Sequence, residues 1–237
     1  MKSSSKIQIF LIIGVIFIFL IYQVVSLYGG QYAIVNFPPN SNTIVALGDS
    51  LTVGVGASAP ENNFISVLER RLNITIVNKG VVGNTAGDAL ARIDSDIATL
   101  HPGVVIVLLG GNDYLRKIPP QETFTSLRGL IKKIQSEGAV VLLLGIQKGL
   151  SYDKSSDDFQ KIARDTGSLF VPAILDGILG NAKLMSDEVH PNDAGYLKIA
   201  DKIAPTLEGL VLSVITHDPH ISTRGDTDSV RTSPSSE

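Results

Sequence analysis

The chain alternates short apolar runs with stretches of helical periodicity, and this alternation limits the folds that it can adopt. The apolar runs cover residues 43–47, 74–77, 104–109, 139–146 and 169–171. Between them, apolar side chains recur at helical spacing over residues 64–72, 90–100 and 124–134. Strands that are apolar throughout are typical of a parallel sheet with both faces covered by helices. The sequence therefore predicts one α/β domain on an open parallel sheet, for which 237 residues suffice.

Four short blocks lie at positions that such a fold would bring together. The first three each follow an apolar run, and the carboxyl ends of parallel strands form one edge of the sheet, where these folds bind ligands. The blocks are Gly48-Asp49-Ser50-Leu51-Thr52, Gly83-Asn84-Thr85, Gly110-Gly111-Asn112-Asp113 and Asp187-Glu188-Val189-His190-Pro191. They supply a hydroxyl, a flexible backbone donor, an amide, and an imidazole with a carboxylate, which are the parts needed for acyl transfer.

Ser50 is the candidate nucleophile, although a serine at the start of a helix is also a common helix cap. Its hydroxyl needs a base to remove the proton, and His190 is the candidate base. Asp187, three residues before the histidine, can fix the imidazole tautomer and stabilise the imidazolium. Glu188 and Asp113 are rival acids for this role.

Gly83, Asn112 and the backbone N–H of Ser50 are the candidate donors of an oxyanion hole. Glycine allows a close backbone approach, and asparagine offers a side-chain N–H. Gly80 is a rival for Gly83, and Asn112 taken alone would also suit an Asx turn.

In this order the blocks resemble those of the GDSL, or SGNH, hydrolases over residues 43–211. The stretches 78–85 and 108–113 are most similar to the compact bacterial esterases that act on aryl esters, acyl thioesters and lysophospholipids. The resemblance implies a three-layer α/β/α, flavodoxin-like fold with a central parallel sheet. It implies that the catalytic acid stands at Asp187, and that Gly83 is the oxyanion glycine. It also implies an acyl-enzyme intermediate and a small-molecule or lipid acyl-ester substrate, with no metal or organic cofactor.

Two other functions stay open on the sequence. The same site residues would serve a deacetylase of cell-envelope polysaccharide or peptidoglycan. A catalytically inactive binding module is the other alternative, although it would be expected to have lost Ser50, His190 or Asp187, and all three are present.

The N-terminal segment predicts a membrane anchor. Lys2 and Lys6 precede an apolar run over residues 7–28, and the next charged residue is Asp49. About 20 apolar residues cross a bilayer as a helix, and the lysines favour a cytoplasmic stretch at residues 1–6 with the catalytic domain on the other side. A cleaved signal peptide, which would give a secreted enzyme, is the alternative.

The remaining boundaries follow from composition. Residues 29–42 predict a linker, residues 43–215 the hydrolase domain, and the polar residues 216–237 a disordered tail. The last helix is expected to begin at Asn192 or Asp193 and to be kinked or ended by Pro205.

Charge and motifs exclude several classes of partner. The net charge is −3, so nothing points to a nucleic-acid partner. The chain has no cysteine, which excludes disulfides and a thiol nucleophile. No third ligand is evident for His217 and His220, so no metal site is expected there.

Overall fold

A computed structural model describes residues 32–97, 99–146 and 155–217 of the chain. Its centre is a five-stranded sheet in the order β2-β1-β3-β4-β5, in which every neighbouring pair is parallel. The strands are β1 (Ile44–Gly48), β2 (Ile76–Gly80), β3 (Val104–Leu108), β4 (Val140–Leu144) and β5 (Leu169–Val171). This is the flavodoxin-like strand order, which confirms the predicted fold class.

Helices cover both faces of the sheet and complete the three layers. They are α1 (Ser50–Val53), α2 (Phe64–Leu72), α3 (Ala86–Ile97), α4 (Gly111–Leu115), α5 (Pro120–Ser136), α6 (Ser155–Thr166) and α7 (Asp193–His217), with a 3₁₀ turn at Pro60–Asn62. Helices α2 and α7 pack on one face, and α3, α5 and α6 pack on the other. Each face has its own apolar core.

Strand β1 shows why the central strands are apolar throughout. Ile44 and Ala46 point into one core, whereas Val45 and Leu47 point into the other, because successive side chains of a strand face opposite sides of the sheet. At the edge of the sheet, β2 starts at Ile76, two residues later than the apolar run suggests. It also includes polar residues, because an edge strand is only partly covered.

The last helix does not end at Pro205. Helix α7 begins at Asp193, as expected, and continues through the proline to His217. Proline removes one helical hydrogen bond. The helix nevertheless packs on the same face of the sheet both before and after Pro205. Ile203 before the proline, and Leu207 and Leu210 after it, are buried in the same core.

The part of the predicted linker that the structure describes, residues 32–42, packs on the domain. Tyr32 Oη donates to the carbonyl oxygen of Ser168 at 2.9 Å, and the N–H of Val35 donates to that of Gly167 at 2.9 Å. The Asn36 amide donates to the carbonyl oxygen of Ala139 at 3.0 Å. Residues 32–36 are therefore bonded to the same unit as the sheet.

The predicted anchor at residues 7–28 and the tail from residue 218 onward lie outside the described residues. None of the helices within residues 32–217 that the structure describes is both long enough and apolar enough to cross a bilayer.

Candidate active site

The four blocks meet at the carboxyl edge of the sheet. Ser50 is the first residue of α1, directly after β1, and Asn112 lies in α4, directly after β3. Strands β1 and β3 are neighbours in space although β2 lies between them in sequence. This point, where the chain reverses direction across the sheet, is where doubly wound folds bind ligands. Gly83 lies in the turn after β2, on the other side of β1.

Ser50, His190 and Asp187 form a continuous hydrogen-bonded chain. His190 Nε2 lies 3.1 Å from Ser50 Oγ, and His190 Nδ1 lies 2.7 Å from Asp187 Oδ2. A carboxylate can only accept, so Nδ1 carries the proton and Nε2 is left to accept the serine proton. The structure thus brings together the three residues that the sequence proposed as catalytic.

Asp187 is held as a carboxylate. The hydrogen bond from His190 is the largest of the interactions that lower the pKa of Asp187 to about 2, and the backbone N–H groups of Val189 and His190 add to it. These two N–H groups donate to Asp187 Oδ1 at 2.8 and 2.7 Å. One carboxylate oxygen therefore shapes the loop, and the other orients the imidazole.

The loop that carries His190 is fixed at both ends. The N–H of Ser186 donates to the carbonyl oxygen of His190 at 2.9 Å, and Met185 and Pro191 form an antiparallel bridge. Directly after it, Asn192 Oδ1 accepts from the N–H groups of residues 194 and 195 and so caps α7. The position of His190 is thus fixed by a hydrogen-bonded loop that leads directly into the long helix α7.

Two of the candidate oxyanion donors are backbone N–H groups, those of Ser50 and Gly83. Ser50 is the first residue of a helix, where an N–H has no partner within the helix. Gly83 has a φ of +80° and lies third in a turn closed by a hydrogen bond from Asn84 N–H to the Val81 carbonyl oxygen, as in a type II turn. Among the described residues, the Gly83 N–H donates to no acceptor.

The Asn112 amide, the third candidate donor, is held by two acceptors. Its Nδ2 donates to the carbonyl oxygen of Asn84 at 3.0 Å and to Asp49 Oδ2 at 3.3 Å. Asp49 also caps α1 through a bond from the Leu51 N–H to its Oδ1 at 3.0 Å. Burial raises the pKa of Asp49 to about 6.

Two arginines that the sequence reasoning did not single out hold the Gly83 turn. Arg116 follows α4, and its Nη2 donates to the carbonyl oxygen of Gly83 at 2.7 Å. Arg92, on α3, donates to Asn84 Oδ1 at 2.6 Å and to the carbonyl oxygen of Lys79 at 2.9 Å. An arginine is common on a helix surface, so only the assembled fold reveals these roles.

The rival residues serve other purposes. Asp113 is buried and accepts from the N–H of Ala86 at 3.0 Å, so it caps α3. Gly80 allows β2 to approach α1, since a Cβ there would lie 2.7 Å from the backbone nitrogen of Val53. Glu188 lines the cavity beside the site without a hydrogen bond to His190. Over the described ranges, no group of three or more potential ligands could hold a metal ion.

A cavity of about 1060 Å³ opens at Ser50 and His190. Its walls are mostly apolar, and they include Val82, Leu115, Ile118, Phe124, Phe159 and Leu179. Phe124 and Phe159 meet edge to face, with ring centroids 5.7 Å apart. The proposed nucleophile thus faces a space suited to an apolar group.

Comparison with known proteins confirms the resemblance. Residues 46–198 match the model of the GDSL-like lipase/acylhydrolase family. Esterase TesA of Pseudomonas aeruginosa is 30% identical over 182 residues, which cover 72% of this chain and 90% of that protein. Thioesterase 1/protease 1/lysophospholipase L1 of Escherichia coli is 29% identical over 178 residues, covering 72% and 86%. A crystal structure of TesA matches with a TM-score of 0.67 at 31% identity, covering 71% of this chain and 99% of that one. The chain belongs to the GDSL-like lipase/acylhydrolase family, and its enzyme class is that of the serine hydrolases acting on carboxylic esters.

Proposed function

We propose that this protein is a membrane-anchored esterase that hydrolyses acyl esters through a Ser50–His190–Asp187 triad and an acyl-enzyme intermediate. The observation that carries the proposal is the hydrogen-bonded chain from Asp187 through His190 to Ser50, which lies at the opening of an apolar cavity.

In the first half of the reaction, His190 Nε2 takes the Ser50 proton as Oγ attacks the acyl carbonyl carbon. The Asp187 carboxylate stabilises the imidazolium that forms. The imidazolium then gives its proton to the leaving-group oxygen or sulfur, the bond to that atom breaks, and the acyl group stays on Oγ.

In the second half, water replaces the leaving group. His190 removes a proton from the water as its oxygen attacks the acyl carbon, and then returns a proton to Ser50 Oγ. The acid product leaves, and the enzyme is restored. Each atom and proton is accounted for by the three side chains, the ester and one water molecule.

The N–H groups of Ser50 and Gly83 and the Asn112 amide would stabilise the negative charge on the former carbonyl oxygen by hydrogen bonds. Such donors stabilise the transition state because they are oriented before the charge appears. One Asn112 N–H is held by the Asn84 carbonyl oxygen and the other by Asp49, and the bond to Asp49 is the longer one at 3.3 Å. The N–H that makes this longer bond is the one that we expect to donate to the oxyanion, without a change in the orientation of the amide.

The cavity favours acyl groups larger than acetyl. An acetyl group needs little room, whereas about 1060 Å³ with aromatic and aliphatic walls can enclose a chain of many carbons or an aryl group. The thioesterase and lysophospholipase activities in the name of the Escherichia coli relative agree with such a substrate. This supports the broad esterase over the deacetylase.

The anchor is proposed from the sequence. The apolar residues 7–28 are long enough to cross a bilayer, and Lys2 and Lys6 favour a cytoplasmic start. The catalytic domain would then lie on the extracytoplasmic side, and a cleaved segment would instead leave it secreted.

A substrate panel tests the activity. We expect the full chain to hydrolyse p-nitrophenyl esters with kcat/KM rising from the acetyl ester to the octanoyl ester, because added methylenes gain burial in the cavity. A maximum at acetyl, with an acetylated glycan as the better substrate, would instead support the deacetylase. Carbonate extraction tests the anchor, which predicts that the full-mass chain stays in the membrane pellet.

A further inference from the structure

The chain enters the domain at the end of the sheet opposite the active site. The bonds of Tyr32 and Val35 go to Ser168 and Gly167, the two residues before β5, and the Asn36 amide binds the carbonyl oxygen of Ala139, the residue before β4. Because all strands are parallel, these contacts lie at the edge where the strands begin. We name this edge, with residues 32–42 packed on it, the amino edge.

The length of chain between the proposed anchor and the amino edge is short. Only residues 29–31 separate the apolar segment 7–28 from Tyr32. Three extended residues span about 10 Å, whereas a domain of this size is about 40 Å across. With the amino edge against the bilayer, so short a tether leaves the active site, at the opposite edge of the sheet, tens of Å from the lipid surface.

The amino edge also carries apolar side chains that the domain does not cover. Val35 is 39% exposed and Phe37 is 49% exposed. Both follow the proposed span by fewer than ten residues. Burial of exposed apolar area at the boundary between lipid headgroups and acyl chains is favourable. The lipid bilayer is thus a suitable occupant for this surface.

We propose that the amino edge faces the membrane that anchors the chain, with Val35 and Phe37 at the lipid interface, and that the active-site cavity opens away from that membrane. The proposal rests on the anchored esterase described above. This orientation determines from which phase a substrate can reach the active site. Acyl esters must reach Ser50 from the aqueous phase, as soluble esters, thioesters or acylated polymers, and lipids of the anchoring bilayer lie out of reach.

Single cysteines can measure the orientation directly, because the chain has none of its own. Glu137, just before β4, and Glu61, beside α1 and α2, are both exposed and mark opposite ends of the sheet. Each is replaced (Glu137→Cys or Glu61→Cys) in the full chain, labelled with a donor fluorophore, and reconstituted in vesicles with acceptor-labelled headgroups. Energy transfer should be several-fold stronger from position 137 than from position 61.

The outcomes separate the two claims. If the chain floats with the vesicles and position 61 transfers energy as strongly as position 137, the orientation is wrong and the anchor stands. If the full chain does not float with the vesicles, the anchor is wrong, and the orientation falls with it. The ester-hydrolysis assay is independent of both.

A longer tether supplies a functional test. Insertion of 40 Gly/Ser residues between Gly30 and Gln31 adds a reach of about 35 Å. We expect the insertion to raise hydrolysis of a non-exchanging long-chain ester in the same vesicle at least tenfold, and to leave hydrolysis of a soluble ester within twofold. Equal rates on the vesicle ester with and without the insertion would overturn the proposal.

Discussion

Asn112 and Asp49 lie side by side between the ends of β3 and β1, with the amide nitrogen 3.3 Å from the carboxylate Oδ2. The other N–H of that amide is bound to the carbonyl oxygen of Asn84. The orientation of the proposed oxyanion donor is therefore set by two acceptors before a substrate arrives, one from each neighbouring block.

Asn112→Ala should lower kcat by about 10²–10³-fold, the loss typical of deleting one oxyanion donor. KM should change far less, because the donor acts mainly on the transition state. Steady-state kinetics on a p-nitrophenyl ester measure both constants. A rise in KM at constant kcat would make Asn112 a substrate-binding residue instead.

The Asp49 carboxyl should make stability depend on pH. Burial raises its folded-state pKa from 3.8 to about 6. Between these values the folded protein binds a proton that the unfolded chain has released, so the free energy of unfolding falls as the pH rises from about 4 to about 6. The Asn side chain of Asp49→Asn does not titrate. The fall in the free energy of unfolding over this pH range should therefore be smaller in the variant than in the wild type, by on the order of 2–3 kcal/mol.

Chemical unfolding at several pH values, followed by circular dichroism, measures this difference. Asp201→Asn is the control, because the Asp201 side chain is 53% exposed and its ion pair with Arg71 lies at the surface. It should keep the wild-type dependence on pH. If the free energy of unfolding of Asp49→Asn falls with pH as steeply as that of the wild type, the Asp49 carboxyl is not the cause of the pH dependence.

Arg116→Ala should reduce kcat by about 10- to 100-fold with little change in KM. Arg116 binds the Gly83 carbonyl oxygen and does not line the cavity, so its loss should displace a donor rather than remove a substrate contact. Affinity for a phosphonate that mimics the oxyanion should fall in parallel. The kcat of Arg116→Lys should lie between that of Arg116→Ala and that of the wild type. Arg71→Ala, which breaks a surface ion pair, should have the wild-type kcat.

Asp187→Asn should lower kcat by about 10⁴-fold, because an amide no longer fixes the imidazole tautomer. Since the pKa of Asp187 lies near 2, its own protonation should not limit activity at mildly acidic pH. Glu188→Gln is the matched control and should lose less than tenfold. A larger loss in Glu188→Gln than in Asp187→Asn would reverse the assignment.

The fold could be predicted, and the triad could be proposed, because both leave local signals. Each central strand is an apolar run, and each proposed catalytic residue follows such a run or stands in a short block, so a parallel sheet brings them together. These signals make Ser50 and His190 candidates, and the family resemblance favours Asp187 over Glu188 and Asp113. In the structure the three side chains lie within hydrogen-bond distance of one another in sequence from Asp187 to His190 to Ser50.

Contacts between distant segments could not be predicted in the same way. Arg116 binds Gly83 across 33 residues, and Tyr32 binds Ser168 across 136, yet nothing in the local sequence marks either pair. Pro205 indicates a helix end or kink at that point. Helix α7 nevertheless continues past it, because the residues before and after the proline pack into the same core.

Ser50→Ala tests the central claim most directly. The variant lacks only the oxygen that is proposed to attack the ester, so ester hydrolysis should fall by about 10⁴-fold or more while the fold is kept. Ser136→Ala, an exposed serine at the end of α5, should retain wild-type turnover. A purified, folded Ser50→Ala protein that keeps more than about a tenth of the wild-type kcat would show that Ser50 is not the nucleophile.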